Sequence, residues 1–335
     1  MKVAVVGAGS WGTAVTLLAA QRAPTILWPR RPELAASIRE RRQNVEYLPG
    51  VPLPDPVEVT AELEQAVGGA DVVLMAVPSH GFRAVLEQAA PFVAPHASLV
   101  SLTKGIEPGT LLRMTEITGE VLERHPPGAI GVLTGPNLAQ EVVAGQPTAT
   151  VIAMADTEKA AELQRLFMSP TFRVYTNPDV TGCEAAGALK NVMAIGAGIA
   201  HGLGYGDNTR AALITRSLAE LSRLGITLGG NPLTFAGLAG MGDLIVTCIS
   251  PHSRNRRVGV ALGEGRALDD IVAEMTMVAE GVKTTRAVLA LAERHTVEMP
   301  IARLVGAVLY EGESAADLVP ALMTREAKAE LHGIA

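Results

Sequence analysis

Lys190 lies in a mostly apolar stretch, residues 185–198, and its setting suits acid–base chemistry. Burial disfavours the ammonium form and so lowers a lysine pKa toward the range useful for proton transfer. Asp243 and Thr247 are four residues apart, which predicts that they share one helix face. A carboxylate beside Lys190 would raise its pKa, and the sequence leaves open which effect wins. A lysine that extends its ammonium group to the surface is the alternative interpretation.

A second cluster consists of Ser253, Arg254 and Asn255, followed by two further arginines. An arginine can hold two phosphate oxygens at once, and the serine and asparagine side chains can add neutral hydrogen bonds. This run therefore predicts a phosphate-binding site. A solvated surface run of basic residues is the alternative.

A glycine-rich turn, Gly7-Ala-Gly9-Ser-Trp-Gly12, follows a short apolar run and precedes a helical stretch. In this setting Gly7 permits a tight turn, Gly9 lets the backbone approach a pyrophosphate, and Gly12 allows close packing of helix and strand. The N-terminus of the helix attracts negative charge. The pattern predicts a nicotinamide dinucleotide site, whereas a structural glycine turn is the alternative.

Arg30 and Arg31 stand where a carboxylate would select the unphosphorylated ribose of NADH. Arginine can pair with a 2′-phosphate, which a carboxylate would repel. We therefore predict that both NADPH and NADH are accepted and that NADPH is preferred. The alternative is a solvated arginine pair before a helix that begins at Pro32.

The elements that must carry these residues change in character along the chain. Up to about Thr176, β-branched runs alternate with helical stretches, and the runs are nearly continuously apolar, as in parallel sheets covered on both faces. After Pro178 long helical stretches rich in Ala, Leu and Gly replace them. We predict an α/β protein: a Rossmann-like, doubly wound, mainly parallel sheet in domain 1–178, then an all-α substrate-binding and catalytic domain, 179–335. The predicted strands are Val3–Val6, Thr25–Trp28, Asp71–Val77, Ser98–Leu102, Ala129–Leu133, Thr148–Met154 and Phe172–Tyr175.

Composition excludes several classes of protein. The formal net charge is −6, without the basic excess that nucleic-acid binding requires. Cys183 and Cys248 lack the spacing of a metal site, so we predict buried thiols and no metal, and a single disulfide between them is the alternative. The apolar region Ala185–Leu203 contains Lys190, Asn191 and His201, which argues against a membrane span. We expect a cytoplasmic protein.

An ordered series of motifs also marks the chain. It resembles the bacterial NAD(P)-dependent glycerol-3-phosphate dehydrogenases along nearly its whole length. The motifs that carry the resemblance are Gly7–Ala14, Asn44–Gly50, Ala76–Ser79, Lys104–Glu107, Gly135-Pro136 with Pro147–Ala149, Leu189–Asn191, Gly237–Asp243, Ser253–Asn255 and Val278–Gly281.

The resemblance implies reversible hydride transfer between NAD(P)H and dihydroxyacetone phosphate, giving sn-glycerol 3-phosphate for glycerophospholipid synthesis, in a homodimer. It implies that Lys190 is the general acid–base and that Asp243 and Lys104 complete the polar site. The implied substrate contacts are Lys104, Gly135, Asn137, Lys190, Asp243, Ser253, Arg254 and Asn255. The implied cofactor contacts are Gly7, Gly9, Ser10, Trp11, Gly12, Arg30, Arg31, Lys104, Ala139, Arg254, Val278 and Glu280.

One position departs from the family pattern. Asn137 stands where the family commonly has Ser or Thr; the amide can still donate a hydrogen bond, but it is larger. Two other interpretations remain at this stage. One is a related two-domain dehydrogenase, such as a 3-hydroxyacid or 6-phosphogluconate dehydrogenase or a ketopantoate reductase. The other is a dinucleotide-sensing protein without catalysis, which the presence of Lys190, Asp243 and Arg254 disfavours.

Overall fold

Short β-branched runs in the first half of the chain form one eight-stranded sheet in the computed structural model, which describes residues 1–275 and 277–330. The strand order is β3-β2-β1-β4-β5-β6-β7-β8. All neighbouring pairs are parallel except β6 with β7, which are antiparallel. The strands are β1 (Val3–Val6), β2 (Thr25–Trp28), β3 (Val57–Val59), β4 (Val72–Met75), β5 (Ser98–Ser101), β6 (Ile130–Thr134), β7 (Thr148–Met154) and β8 (Phe172–Asn177).

The order of strands reverses beside β1, since β2 and β3 extend the sheet on one side and β4 extends it on the other. Ligands of doubly wound sheets bind beyond the carboxyl ends of the strands at such a point. The predicted Rossmann-like, mainly parallel sheet is thus confirmed. Strand β3 is an element that the sequence analysis missed, because three residues with an exposed Glu58 between two buried valines give too short a pattern.

By its contacts the chain divides into two compact units. The first comprises Met1–Thr103 and Met114–Val180, and the second comprises Lys104–Arg113 and Thr181–Ala335. In the first unit, helices flank the sheet and pack a largely aliphatic core against it. These helices are α1 (Ser10–Ala19), α2 (Pro32–Arg41), α3 (Leu63–Val67), α4 (Phe82–Ala89), α5 (Met114–Val121), α6 (Ala139–Val143) and α7 (Thr157–Phe167).

The second unit is built from helices around a core of Ala, Leu, Val and Ile side chains. Its longest helix is buried from Gly182 to Ala200 on every side, which explains why its apolar residues follow no amphipathic pattern. The helices are α8 (Val180–Gly202), α9 (Asp207–Thr227), α10 (Pro232–Phe235), α11 (Asp243–Ile249), α12 (Arg254–Gly263), α13 (Leu268–Ala273), α14 (Glu280–Arg294), α15 (Pro300–Tyr310) and α16 (Leu318–Met323). The predicted all-α second part is confirmed.

Helices α8 and α12 touch through their backbones. A Cβ atom on Gly198 would lie 2.3 Å from the main-chain oxygen of Arg256, and one on Gly259 would lie 2.1 Å from that of Ile195. Such distances exclude any side chain at either position. The spacing between these two helices is therefore set by main-chain contact.

One apolar stretch, Pro232–Ile249, is long enough to cross a membrane by length and composition, with a mean hydropathy of 1.5. It is broken into α10, a π-helical turn at Leu238–Gly242, and α11, and 44% of it is buried inside the protein. It also carries Asp243, a buried charged residue. The stretch is weak evidence for a membrane span, because core helices pass the same test.

Candidate functional site

Three charged side chains meet in the second unit. Lys190 of α8 places its Nζ 3.0 Å from Oδ1 of Asp243, the first residue of α11. Lys104 donates from its Nζ to the other oxygen of the same carboxylate, at 2.6 Å. Asp243 is 1% exposed and Lys190 is 5% exposed. One buried carboxylate thus bridges two lysines.

Thr247 connects the carboxylate and Lys190 in a second way. It lies one helical turn after Asp243, and its Oγ1 accepts a hydrogen bond from Lys190 Nζ at 2.6 Å. The same hydroxyl donates to the main-chain oxygen of Asp243, also at 2.6 Å. The shared helix face predicted from the spacing of Asp243 and Thr247 is present, and Lys190 points to it rather than to the surface.

Burial lowers the pKa of Lys190 to about 8, although the carboxylate of Asp243 acts in the opposite direction. The ammonium group of Lys104 adds to the lowering through like-charge repulsion. The question that the sequence left open is answered, because desolvation outweighs the attraction of the carboxylate. Lys190 can therefore change its protonation state near neutral pH.

The two cysteines are buried and not disulfide-bonded, as predicted. Burial raises the pKa of the Cys248 thiol to about 12, so it stays protonated beside the lysine. Within residues 1–275 and 277–330, no group of three or more His, Cys, Asp or Glu side chains could hold a metal ion.

A chain of amide hydrogen bonds lies next to the lysines. Asn191, the neighbour of Lys190, donates from Nδ2 to the main-chain oxygen of Lys104 at 3.3 Å. Its Oδ1 accepts from Nδ2 of Asn255 at 2.9 Å, and Asn255 Oδ1 accepts from the backbone N–H of Gly281 at 2.9 Å. Asn255 thereby links α8, α12 and the start of α14.

The predicted phosphate cluster forms the beginning of α12. Ser253 is the N-cap residue, and its Oγ accepts a hydrogen bond from the backbone N–H of Arg256 at 3.3 Å. Arg254 is exposed and donates from Nη1 to the main-chain oxygen of Val278 at 2.7 Å. That contact brings together Arg254 and Val278, two predicted cofactor contacts. The third, Glu280, is the first residue of α14.

In the first unit, the glycine turn joins β1 to α1. Gly7 has a φ of +118°, and a Cβ atom there would lie 2.5 Å from the main-chain oxygen of Ala76. A Cβ on Gly12 would lie 2.0 Å from the main-chain oxygen of Gly7. Gly9 is different: its Cβ position has no atom within 4 Å, and as N-cap residue it gives α1 no side-chain cap. Open space at Gly9 therefore adjoins the N-terminus of α1.

The segment Asn44–Gly50 holds this turn in place. Asn44 is fully buried and donates from Nδ2 to the main-chain oxygen of Ala8 and to Oγ1 of Thr13, both at 2.8 Å. Ser10 donates from Oγ to the main-chain oxygen of Tyr47 at 2.7 Å. The half-buried ring of Trp11 lies 6.5 Å from that of Phe172, measured between ring centroids.

Arg30 and Arg31 follow β2 and are exposed. Arg31 is the N-cap residue of α2 and forms an ion pair with Glu46. The hydrogen bond from Arg31 lowers the pKa of the Glu46 carboxyl. A carboxylate therefore stands beside one of the two arginines predicted to contact a 2′-phosphate.

Gly135 and Asn137 follow β6, and Ala139 begins α6. Gly135 has a φ of +141°. Asn137 donates from Nδ2 to Oγ1 of Thr150 at 2.8 Å, while its Oδ1 is buried and has no partner in the part of the chain that the structure describes. One of its two N–H groups is thus in use, and its buried oxygen remains for a ligand.

The predicted residues fall into two sets. The second unit contains Lys104, Lys190, Asp243, Ser253, Arg254, Asn255, Val278 and Glu280. The first unit contains Gly7, Gly9, Ser10, Trp11, Gly12, Arg30, Arg31, Gly135, Asn137 and Ala139. Sequence spacing does not identify Asn44 or Asn191 as site residues, although both lie within the motifs described above. Spacing indicates Thr247 only as a residue on the helix face of Asp243, and it gives no indication of the ion pair between Arg113 and Glu184.

Comparisons with known proteins agree in both units. A family model described as the N-terminus of NAD-dependent glycerol-3-phosphate dehydrogenase matches residues 2–160, and the corresponding C-terminus model matches residues 179–320. A glycerol-3-phosphate dehydrogenase [NAD(P)+] of Sphingopyxis alaskensis is 52% identical over 99% of both chains. One from Pelotomaculum thermopropionicum is 51% identical over 100% of this chain and 96% of its own. The crystal structure of glycerol-3-phosphate dehydrogenase from Coxiella burnetii matches with a TM-score of 0.93 and 37% identity, covering 97% of this chain and 99% of that one.

Proposed function

This chain belongs to the NAD-dependent glycerol-3-phosphate dehydrogenase family, and we propose that it works with Lys190 as its proton donor and acceptor. It is an NAD(P)-dependent oxidoreductase that interconverts dihydroxyacetone phosphate and sn-glycerol 3-phosphate. The observation that carries the assignment of roles is the buried bridge from Lys104 through Asp243 to Lys190. One buried and one half-buried cation around a buried carboxylate are costly to assemble for stability alone.

The first unit fits a dinucleotide. The open space at Gly9 and the N-terminus of α1 suit a pyrophosphate, since the N-terminus of a helix attracts anions. Gly7 and Gly12 keep the turn tight, while Ser10, Trp11 and Ala139 complete the proposed contacts on this unit. When bound, the nicotinamide dinucleotide supplies or accepts the hydride.

Lys190 would donate the proton that the substrate oxygen needs. Reduction of a ketone builds negative charge on oxygen, and a positioned ammonium group both stabilises that charge and neutralises it by proton transfer. An ammonium group has three N–H bonds. Asp243 and Thr247 engage two of them, which leaves the third for the substrate. In the oxidation direction, neutral Lys190 accepts the proton from the alcohol.

Asp243 would hold Lys190 in place, and Lys104, on the other oxygen of the same carboxylate, would add positive charge near the developing oxyanion. Asp243 cannot turn away from Lys190 without leaving a buried ammonium group unpaired, and Lys104 holds its second oxygen. The proposed substrate contact of Lys104 follows from its position beside the same carboxylate.

The beginning of α12 would hold the substrate phosphate. Arg254 has five N–H donors, and only Nη1 is engaged with Val278 among the contacts described above. Ser253 accepts from the backbone of Arg256, and Asn255 bonds to the side chain of Asn191 and the backbone of Gly281. They would contribute their remaining donors and fix the direction of Arg254. In the first unit, we propose that Gly135 and the unpartnered Oδ1 of Asn137 contact substrate.

Further proposals concern the cofactor preference, the roles of the two domains, the oligomeric state and the localisation of the protein. We propose that NADPH is preferred through Arg30, with Arg31 shared with Glu46. We propose that residues 1–178 and 179–335 act as the cofactor and substrate domains, with the 104–113 segment belonging to the second. We also propose a cytoplasmic homodimer without a membrane span that supplies glycerophospholipid synthesis and binds no nucleic acid.

The test is NADPH oxidation, followed by absorbance, with dihydroxyacetone phosphate as substrate. Ketopantoate, 3-keto acids and unphosphorylated dihydroxyacetone serve as the comparison panel, and 6-phosphogluconate is offered with NADP+. Preferential turnover of dihydroxyacetone phosphate is the expected result. Binding of NADPH without oxidation would instead support a sensor, and faster turnover of another substrate would support a related dehydrogenase.

A further inference from the structure

The segment Lys104–Arg113, here the 104–113 loop, belongs to the second unit although most of its sequence neighbours belong to the first. Ile106 and Arg113 pair as an antiparallel bridge, and Glu107 donates its backbone N–H to the main-chain oxygen of Leu112. The two ends of the loop therefore lie side by side. Anything that fixes Arg113 also restricts Lys104.

Helix α8 contacts this loop at both ends. Arg113 Nη1 lies 2.9 Å from Oε2 of Glu184, and Asn191 donates to the main-chain oxygen of Lys104. Glu184 and Asn191 are seven residues apart, which places them on one face of the helix about 10 Å from each other. Ile106, between the loop ends, is buried in the core of the unit.

The ion pair is withdrawn from water. The side chain of Glu184 is 2% exposed and that of Arg113 is 12% exposed. Buried charges are rarely retained unless they are paired, and a buried pair is weak evidence for stability by itself. The ion pair lies at the opposite end of the loop from Lys104, which indicates that it holds the loop, and with it Lys104, in position.

We propose that Glu184 is a positioning residue, which holds the 104–113 loop on α8 through Arg113 so that the ammonium group of Lys104 stays between Asp243 and the reacting centre. This inference rests on the proposed roles of Lys190 and Asp243. It assigns to Glu184 and Arg113 no contact with substrate or cofactor.

The position of the 104–113 loop affects the pKa of Lys190. The charged and titratable groups that act on it are Asp243 and Cys248 of α11 and Lys104 of the loop. Lys104 lowers the pKa of Lys190, and it also occupies one oxygen of Asp243. If the loop loosens, a like charge moves away and Asp243 becomes freer to pair with Lys190. Both changes raise the pKa of Lys190.

The experiment compares the pH dependence of kcat for dihydroxyacetone phosphate reduction in four proteins: wild type, Glu184→Gln, Lys104→Met and the double variant. Wild-type kcat should fall above pH 8, where Lys190 loses its proton. In Glu184→Gln this fall should move upward by about one pH unit, with a lower kcat. In the Lys104→Met background, Glu184→Gln should cause no further movement, because its route to Lys190 is already removed.

Two controls keep the result interpretable. Arg113→Lys, which preserves the charge, should retain a profile near wild type. Arg113→Met, which removes the charge, should move the profile upward as Glu184→Gln does, and it serves as the test if Glu184→Gln does not fold. Glu220→Gln removes another buried carboxylate of the second unit and should leave the profile unmoved. An unmoved profile in Glu184→Gln, or an equal movement with and without Lys104, would overturn the proposal. A Lys190→Ala variant with normal turnover would instead overturn the proposed function.

Discussion

The proposed cofactor site of the first unit and the proposed catalytic site of the second unit are built from different chemical groups. The glycine turn of the first unit presents backbone N–H groups and open space, and its essential residues are those that lack a side chain. The site of the second unit consists of charged side chains held in a buried place by Asp243, Thr247 and Asn191. A pyrophosphate has the same shape in every dinucleotide, so main-chain groups suffice to bind it. Proton transfer requires a group with a tuned pKa, which only a side chain supplies.

The difference predicts where single substitutions act most strongly. In the second unit, truncation of one side chain removes a chemical function. In the first unit, side-chain changes at the rim alter which dinucleotide is accepted. The following substitutions test this contrast, beginning with the largest expected effect.

Lys190→Ala should lower turnover by about 10²- to 10⁴-fold, because it removes the proposed proton donor. The affinity for NADPH, measured by fluorescence titration, should be nearly unchanged, since the glycine turn is untouched. Circular dichroism checks that the helical unit still folds. Near-normal turnover would show that Lys190 is not a catalytic residue, and it would contradict the proposed difference between the two sites.

Arg254→Ala should lower kcat/KM for dihydroxyacetone phosphate by about 10- to 100-fold, as expected for the loss of charged hydrogen bonds worth roughly 1.5–3 kcal/mol. Unphosphorylated dihydroxyacetone should lose much less, because it has no phosphate to be held. Steady-state kinetics with both substrates at saturating NADPH measures the difference. Equal losses would count against a phosphate role.

Arg30→Asp with Arg31→Asp should shift the ratio of kcat/KM for NADPH over NADH toward NADH by about tenfold or more, since a carboxylate repels a 2′-phosphate. The single variant at Arg30 should carry the larger share, because Arg31 is paired with Glu46. Turnover at saturating NADH is the control. An unchanged ratio would show that these arginines are solvated surface residues.

Glu220→Gln should change stability and leave catalysis intact. The Glu220 carboxylate is buried at the start of α15 and accepts from the N–H groups of Ile301 and Ala302. Burial raises its pKa from 4.5 to about 7. Between these values the folded protein keeps a proton that the unfolded chain has lost. The free energy of unfolding should therefore fall with rising pH, by about 1.4 kcal/mol per unit.

Urea denaturation across this window, in wild type and variant, isolates the contribution of Glu220. The difference between the two proteins should flatten above pH 7 and below pH 4.5. A constant difference across the whole range would indicate that the carboxylate has its ordinary pKa in the folded state. This pH-dependent difference in stability is the smallest of the expected effects. It distinguishes Glu220, a buried acid outside the proposed site, from Lys190, whose shifted pKa is proposed to serve catalysis.

Much of the fold was predictable because its signals are local. Apolar runs such as Val3–Val6 and the glycine spacing at Gly7 to Gly12 lie within a few residues, and they fixed the parallel sheet and its turn. The three-residue strand β3 escaped, since Glu58 interrupts its short pattern. The packing of the 104–113 loop with the second unit depends on contacts that no local pattern records.

The site was predictable in part for the same reason. The composition of α8 singled out Lys190, but the balance between burial and Asp243 depends on three-dimensional solvation. Asn44 and Thr247 act through hydrogen bonds to residues that sequence spacing alone does not identify as partners. The sequence predicts Asn137 as a hydrogen-bond donor to substrate, whereas in the fold one of its N–H groups bonds to Thr150 and its buried oxygen has no partner among the described residues.

The backbone contact between α8 and α12 bears on how such an enzyme can vary over evolutionary time. Lys190 precedes Gly198 by eight residues on one helix, and Arg254 precedes Gly259 by five on the other. Because the two helices meet where neither has a side chain, substitutions elsewhere on their surfaces leave the crossing distance unchanged. We therefore expect the span between Lys190, the proposed proton donor, and Arg254, the proposed phosphate-binding residue, to resist sequence drift, and with it the proposed fit to a substrate of three carbons.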